Sequence, residues 1–196
     1  MLGKEDTAVR GNFLSALAML IAVSVTLINI FNPLLIIIGI SIGALVGSLI
    51  ALKVKMTSIP EMVALFNGFG GLATFFIAWS EFNSSIDNSF QYILIMLTVY
   101  IGGVTFSGSI IAYGKLSERL KIAKSSIITK SFTTIFYVSL VYLLYSAVLT
   151  EIFIPTFDFF TLLLVLTLLG GIGFVLPIGG GDMPVVISLL NSFSGI

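Results

Sequence analysis

The 196 residues are 58% hydrophobic and 9% charged, and their mean hydropathy is +1.17. Soluble domains are usually about 45–50% apolar and about 25% charged, so this composition predicts an integral membrane protein surrounded by lipid. Nine Lys and Arg balance nine Asp and Glu, and no basic patch has interleaved aromatics, which argues against a nucleic-acid partner. The chain has no cysteine and no histidine, so we expect no metal site and no imidazole chemistry.

The apolar runs predict transmembrane helices. A hydrocarbon core about 30 Å thick needs roughly 20 apolar residues in a helix, and backbone groups in lipid need internal partners. No ten-residue alternation suggests a barrel. We therefore predict an all-α polytopic bundle with six full spans and a truncated seventh. The spans are about 12–31, 34–52, 62–80, 90–113, 132–150, 157–177 and, incomplete, 184–196.

The basic residues predict an orientation. The N-terminal segment and the second-to-third and fourth-to-fifth loops hold all nine Lys and Arg, and the loops of the other side hold none. Since cytoplasmic loops carry the excess of Lys and Arg, the N-terminus and the basic loops are predicted to be cytoplasmic. The loop GGGDMP, residues 179–184, then lies on the same side.

Two patterns are interpreted as structural. Gly39, Gly43 and Gly47 leave one face of the second span without side chains, which suits close helix packing. Aromatic residues cluster near the span ends and are interpreted as an interfacial belt. They are Phe75, Phe76, Trp79, Phe82, Phe153, Phe157, Phe159 and Phe160.

The third span contains a polar residue, Asn67, about two turns into the predicted helix. A buried amide costs free energy unless it is hydrogen bonded, so we expect Asn67 to face the bundle interior. One interpretation is a hydrogen bond between helices, worth roughly 0.6–2 kcal/mol. The other is a group that holds water along a pathway. Spacing alone favours the hydrogen bond.

The fourth span ends with three hydroxyl groups, those of Thr105, Ser107 and Ser109, among glycines. Such hydroxyls can donate to a carbonyl of the preceding turn at little cost, or they can form a polar lining for water. No Asp, Glu, Lys or Arg lies deep in any predicted span. By itself, this chain therefore supplies no titratable group at mid-membrane depth, which limits what it can do for proton transport.

Asp182 is the only charged residue after Asp158, and it lies between three glycines and Met-Pro. The glycines allow a sharp turn, and Pro184 suits the first turn of a helix. Asp182 is therefore predicted near the N-cap, where its carboxylate can accept backbone N–H bonds. The alternative is a charged group at the cytoplasmic mouth that exchanges a proton or contacts a partner domain. These residues alone favour the cap.

Three stretches resemble the membrane part of the beta subunit of proton-translocating NAD(P)+ transhydrogenase. They are MTSIPEMVALFNGFGGLA (56–73), GGVTFSGSIIAYGKL (102–116) and PIGGGDMPVVISLLNSFSG (177–195). The third is the most specific, because its similarity runs nearly without a gap. The order and spacing of the three also fit, and the similarity covers almost the whole chain.

The resemblance implies an enzyme that couples hydride transfer from NADH to NADP+ to inward proton movement. In this family the beta subunit has further helices and a cytoplasmic NADP(H) domain, the alpha subunit binds NAD(H), and two alpha–beta units form a dimer. No G-x-G-x-x-G follows a strand here. The resemblance therefore implies that residues 1–196 form an incomplete transmembrane proton-channel domain in a bacterial inner (plasma) membrane. It would bind no cofactor and be inactive alone.

Functional residues of the family can be assigned to four positions. Asn67 stands where the family often has a proton-channel histidine. Because asparagine cannot carry the proton, the titrating group is expected from elsewhere, such as a helix of the alpha partner, with Asn67 holding water. Ser109 matches a channel-lining serine, and Asn191 matches a channel asparagine near Asn67. Asp182 matches an acidic residue that couples the channel to the NADP(H) domain, which raises coupling above simple capping.

The alternative function is that of a small polytopic transporter or structural membrane module without redox activity. Inverted repeats would support it, and the sequence shows none. Asn67 and the GGGDMP loop would then serve packing alone.

Overall fold

The computed structural model describes residues 5–28, 33–82, 88–120, 127–149 and 157–195. These residues form seven α-helices, two short 3-10 helices and no strand, which confirms the all-α prediction. The α-helices are α1 (Glu5–Ile28), α2 (Leu34–Lys53), α3 (Ile59–Phe82), α4 (Ser89–Leu116), α5 (Ile127–Leu149), α6 (Phe157–Val175) and α7 (Met183–Ser194). The 3-10 helices, Met56–Ser58 and Gly180–Asp182, directly precede α3 and α7.

In the part of the chain that the structure describes, five helical segments are long and apolar enough to cross a membrane, one each from α1 to α5. The last two helices meet this criterion only as a pair, Phe160–Val175 with Gly180–Ser194, which is bent by 110° at its break. The described residues therefore provide five candidate spans, or six if the bent pair counts as one. The number of spans stays a prediction, but α7 clearly does not continue the axis of α6.

The chain divides into two compact units, residues 1–53 and 54–196. In the first unit, α2 has no buried residue. No atom of α1 lies within 4 Å of a Cβ built at Gly39, Gly43 or Gly47. The close helix packing expected of this glycine stripe is therefore not made between the described helices of this unit.

In the second unit, α4 is the central helix and packs against α3, α5, α6 and α7. Its small residues allow this. A Cβ built at Gly102 would lie 2.8 Å from the Phe75 nitrogen and 2.9 Å from the Gly71 oxygen. Real Cβ atoms do not approach backbone so closely, so only glycine fits where α3 and α4 meet. We call this contact the α3–α4 seam.

The aromatic residues divide between the interior and the surface of the second unit. Phe160 has no exposed surface; its ring stacks on Phe82 at 4.0 Å between centroids, and Trp79 meets it edge-on at 5.6 Å. The interfacial belt predicted from the sequence is therefore wrong for Phe160, because helix packing turns this ring toward α3. Phe76 is 59% exposed, as a belt residue would be. Phe153 and the side chains of Phe157 and Phe159 lie outside what the structure describes.

Candidate functional site

Asn67 of α3 and Ser109 of α4 are hydrogen bonded between the two helices. The Asn67 Nδ2 donates to the Ser109 Oγ at 2.9 Å; Asn67 is half-buried, and Ser109 has no exposed surface. Gly68 makes room for this contact, since a Cβ there would lie only 3.2 Å from the Ser109 Cβ. The structure thus contains the interhelical bond that the sequence suggests for Asn67.

The two other hydroxyls of the α4 run are buried and have different partners. The Ser107 Oγ donates to the Gly103 oxygen of its own helix at 3.0 Å, as expected of a hydroxyl bonded to the preceding turn. The Thr105 Oγ1 makes a long 3.5 Å contact with the Leu190 oxygen of α7. Of the three hydroxyls, Ser109 is the one bonded to Asn67.

A groove with a cavity volume of about 720 Å³ lies between α3 and α7. We call it the α3–α7 groove. Its α3 wall is lined by Ile59, Pro60, Val63, Phe66, Asn67 and Gly70. Its α7 wall is lined by Pro184, Ile187, Ser188, Asn191 and Ser194. The walls are largely apolar, and none of these lining residues is titratable at neutral pH.

The groove brings together two of the predicted residues, since Asn67 lies on one wall and Asn191 on the other. Asn191 is exposed, and Ser188 and Ser194 lie three residues to either side of it. Three-residue spacing places the three polar groups along one face of α7. Ser188 and Ser194 are additions to the residues predicted from the sequence, and the S-x-x-N-x-x-S spacing is the signal that identifies them.

Asp182 lies at the start of α7, as predicted, but the capping hydrogen bond is absent. Its backbone has φ −92° and ψ −2°, its side chain accepts no bond from the helix amides, and it is exposed. An N-cap side chain reaches those amides from an extended backbone, whereas Asp182 ends a 3-10 turn in which its own N–H donates to the Gly179 oxygen. The sequence prediction of a carboxylate cap is therefore wrong.

Asp182 lies near the opposite end of α7 from the side-chain amide of Asn191. Nine residues of helix place it about 13 Å from Asn191 along the axis. Pro184, two residues after Asp182, lines the groove. The carboxylate thus lies near the α6–α7 turn, while the Asn67–Ser109 bond lies beside the groove.

The chemistry of the groove follows from its side chains. Amides and hydroxyls donate and accept hydrogen bonds, so they can hold water, but they cannot gain or lose a proton near neutral pH. Among the described residues there is no cluster of three or more His, Cys, Asp or Glu that could hold a metal ion. The site is therefore suited to orienting water rather than to supplying a titrating group.

Sequence comparisons identify relatives. A sequence model of the NAD(P) transhydrogenase beta subunit family matches residues 1–196. Two curated relatives from Rhodospirillum rubrum, both named NAD(P) transhydrogenase subunit beta, are 32% identical to this chain over 207 aligned residues. The alignment covers 99% of this chain and 44% of each relative, so the chain spans less than half of their length. Neither match supports a transporter without redox activity.

Proposed function

This chain belongs to the NAD(P) transhydrogenase beta subunit family, and from this premise we propose that it forms the membrane part of a proton-translocating transhydrogenase. The whole enzyme would couple hydride transfer from NADH to NADP+ to proton movement across the membrane. The observation that carries the proposal is the hydrogen bond between Asn67 and Ser109 beside the α3–α7 groove, because it puts a polar pair next to a groove large enough to hold water.

Asn67, Ser109 and Asn191 form the polar part of the proton pathway in this proposal. The Asn67 Nδ2 is committed to Ser109, which orients the amide and leaves its oxygen free to accept from water. Asn191 supplies a second amide from the other wall, and Ser188 and Ser194 extend the polar face. Water held between these groups would pass protons through an otherwise apolar groove.

The titrating group of the pathway comes from outside residues 1–196. The described residues that line the groove include no acidic or basic side chain, and Asn67 cannot carry a proton. A helix of the alpha subunit is the proposed source. The groove is large enough for water and for the tip of a side chain from such a helix.

Asp182 is the proposed coupling residue. It is an exposed carboxylate at the α6–α7 turn, and its side chain is not used to cap α7. A charge free of such a bond can respond to a neighbouring domain or to a proton. In the complete protein that neighbour would be the NADP(H) domain of the beta subunit.

The assembly and location follow from the family. We propose that residues 1–196 are one transmembrane domain, that other parts of the beta subunit bind NADP(H), and that the alpha subunit binds NAD(H) in a dimer of alpha–beta units. The proposed location is the bacterial inner membrane, with the basic loops cytoplasmic. Lys115 bonds to the end of α6, which supports placing the α6–α7 turn on the basic side.

The test uses the complete enzyme with its partner subunits in sealed vesicles. Hydride transfer from NADH to NADP+ is followed optically while a pH-sensitive dye reports proton movement. We expect proton movement to accompany hydride transfer in the unaltered enzyme. Asp182→Asn should lower the rate of this proton-linked hydride transfer while the helix bundle stays assembled. Glu118→Gln is the matched control, because Glu118 is also an exposed carboxylate, at the end of α4.

Two results would contradict the proposal at different levels. If the unaltered enzyme transfers hydride without moving protons, the membrane part is not a proton channel. If Asp182→Asn keeps the full linked rate, Asp182 has no coupling role, although the rest of the proposal would stand.

A further inference from the structure

Lys115, in the last turn of α4, binds the carbonyl oxygen of the last residue of α6 and two carbonyl oxygens that directly follow this helix. Its Nζ donates to the oxygens of Val175 at 3.1 Å, Leu176 at 2.5 Å and Ile178 at 2.7 Å. The Val175 oxygen also accepts from the Ile178 N–H at 3.2 Å. Carbonyls at the C-terminal end of a helix carry partial negative charge, and an ammonium has three donors. The Lys115 ammonium of α4 thus caps the C-terminal end of α6.

The backbone around Lys115 is itself well anchored. The Ser117 N–H donates to the Tyr113 oxygen at 2.9 Å, and the Leu120 N–H to the Gly114 oxygen at 2.8 Å. The Glu118 N–H donates to the Lys115 oxygen at 3.2 Å. These bonds fold the chain back at the end of α4, so the ammonium extends from a fixed support.

The segment that follows the three carbonyls is loosely packed. A Cβ built at Gly181 meets nothing within 4 Å, and the nearest atom to one at Gly180 is the Lys115 oxygen at 3.9 Å. Asp182 does not cap α7, yet the chain bends here by 110°. The open glycines therefore permit the bend. The bond from the Asp182 N–H to the Gly179 oxygen and the fully buried Met183 hold its α7 side. The three bonds from Lys115 hold its α6 side.

We infer that Lys115 is a positioning residue that fixes the bend between α6 and α7. Its bonds fix the position of the start of the glycine turn. This turn leads directly to Asp182 and to the α7 wall of the α3–α7 groove, so it helps to position both. Any effect of Lys115 on proton coupling rests on the proposed function. Its effect on the angle between α6 and α7 is independent of that function, since it is inferred from the contacts alone.

The first experiment measures the bend directly in the complete protein. The 196 residues contain no cysteine, so Leu162→Cys on α6 and Val185→Cys on α7 can carry spin labels once any cysteines elsewhere are replaced. Both positions are exposed, at 48% and 73%. We expect a single narrow distance distribution that broadens in Lys115→Met and stays narrow in Lys115→Arg, which retains charge and donors.

The matched control is Lys130→Met. It removes one positive charge from an exposed side chain at the start of α5, so it tests whether loss of charge alone alters the bend. We expect its distance distribution to equal that of the unaltered protein. Lys115→Gln is a second variant, which keeps two donors without the charge and is expected to broaden the distribution less than Lys115→Met.

The second experiment measures proton-linked hydride transfer in the same variants. Loss of hydrogen bonds from a charged group is expected to lower the linked rate roughly tenfold in Lys115→Met, with recovery in Lys115→Arg. If Lys115→Met does not fold, Lys115→Gln and Lys115→Arg decide between the outcomes. An unchanged label distance in a folded variant lacking the charge overturns the inference. If the unaltered enzyme moves no protons, the proposed function fails, while the label distance still decides the role of Lys115.

Discussion

Helix α3 meets its two neighbours α4 and α7 in opposite ways, and adjacent glycines show the difference. A Cβ built at Gly71 would lie 2.7 Å from the Phe106 nitrogen of α4, whereas one built at Gly70 meets nothing within 4 Å. The first glycine belongs to the α3–α4 seam and the second to the α3–α7 groove. Glycine therefore allows close helix packing at position 71, whereas at position 70 it leaves the groove open.

The largest effect is expected at the seam. Gly71→Val would push a side chain into the backbone of α4, which cannot move as a flexible side chain can. Overpacking of this kind costs about 1–3 kcal/mol, and we expect the melting temperature of the detergent-solubilised protein to fall accordingly. Size-exclusion chromatography after heating provides the measurement.

Gly70→Val is the matched control for this substitution. It adds the same side chain one position away, where there is open space, so stability should change by less than about 0.5 kcal/mol. Equal losses in the two variants would show that the seam and the groove do not differ as described. Because Gly70 lines the groove, this control should also slow proton movement in the complete enzyme.

An intermediate effect is expected where the seam borders the groove. Asn67→Leu, Ser109→Ala and the double variant form a cycle that isolates their hydrogen bond. Interhelical hydrogen bonds in membranes contribute about 0.6 kcal/mol on average and at most about 1.7 kcal/mol, so we expect a coupling energy in this range. The measurement is the free energy of unfolding of all four proteins.

The same variants separate structure from function. If Asn67 also holds water, Asn67→Leu should slow proton movement by more than its loss of stability explains. If stability and the rate of proton movement fall in parallel, Asn67 has only a packing role. A coupling energy near zero would mean that its hydrogen bond to Ser109 contributes nothing to stability.

The smallest effect on stability is expected at the α7 wall of the groove. Asn191→Leu alters an exposed side chain, so stability should change by less than about 0.5 kcal/mol. Proton movement should fall roughly three- to tenfold, the equivalent of one lost hydrogen bond to water. Ser192→Leu is the control, because Ser192 is also exposed but does not line the groove. Equal proton rates in the two variants would exclude Asn191 from the pathway.

The helices were predictable because their length follows from the thickness of the membrane. The expected spans 34–52 and 62–80 correspond to Leu34–Lys53 and Ile59–Phe82. The site was predictable only in part. Asn67 could be expected to need a partner, but Ser109 is 42 positions away, and periodicity within one helix says nothing about which helix lies opposite.

The residues around the turn illustrate what local rules miss. Asp182 has the position of a cap, but the 3-10 turn gives it a helical backbone that keeps the carboxylate from the amides. Lys115 belongs by sequence to a run of basic residues near a loop. In the structure it reaches the end of α6, some 60 positions later, because α4 and α6 end side by side.

By itself, the sequence determined that this is a helical membrane protein, where its apolar segments lie and which polar residues stand apart within them. Those properties depend on composition and on the order of neighbours along the chain. Tertiary structure alone decided that Gly71 is packed while Gly70 is open, that Asn67 bonds to Ser109, and that Lys115 closes α6. The physical reason is that these contacts depend on which helices approach each other and how closely, and the pairing is settled by packing of the whole bundle.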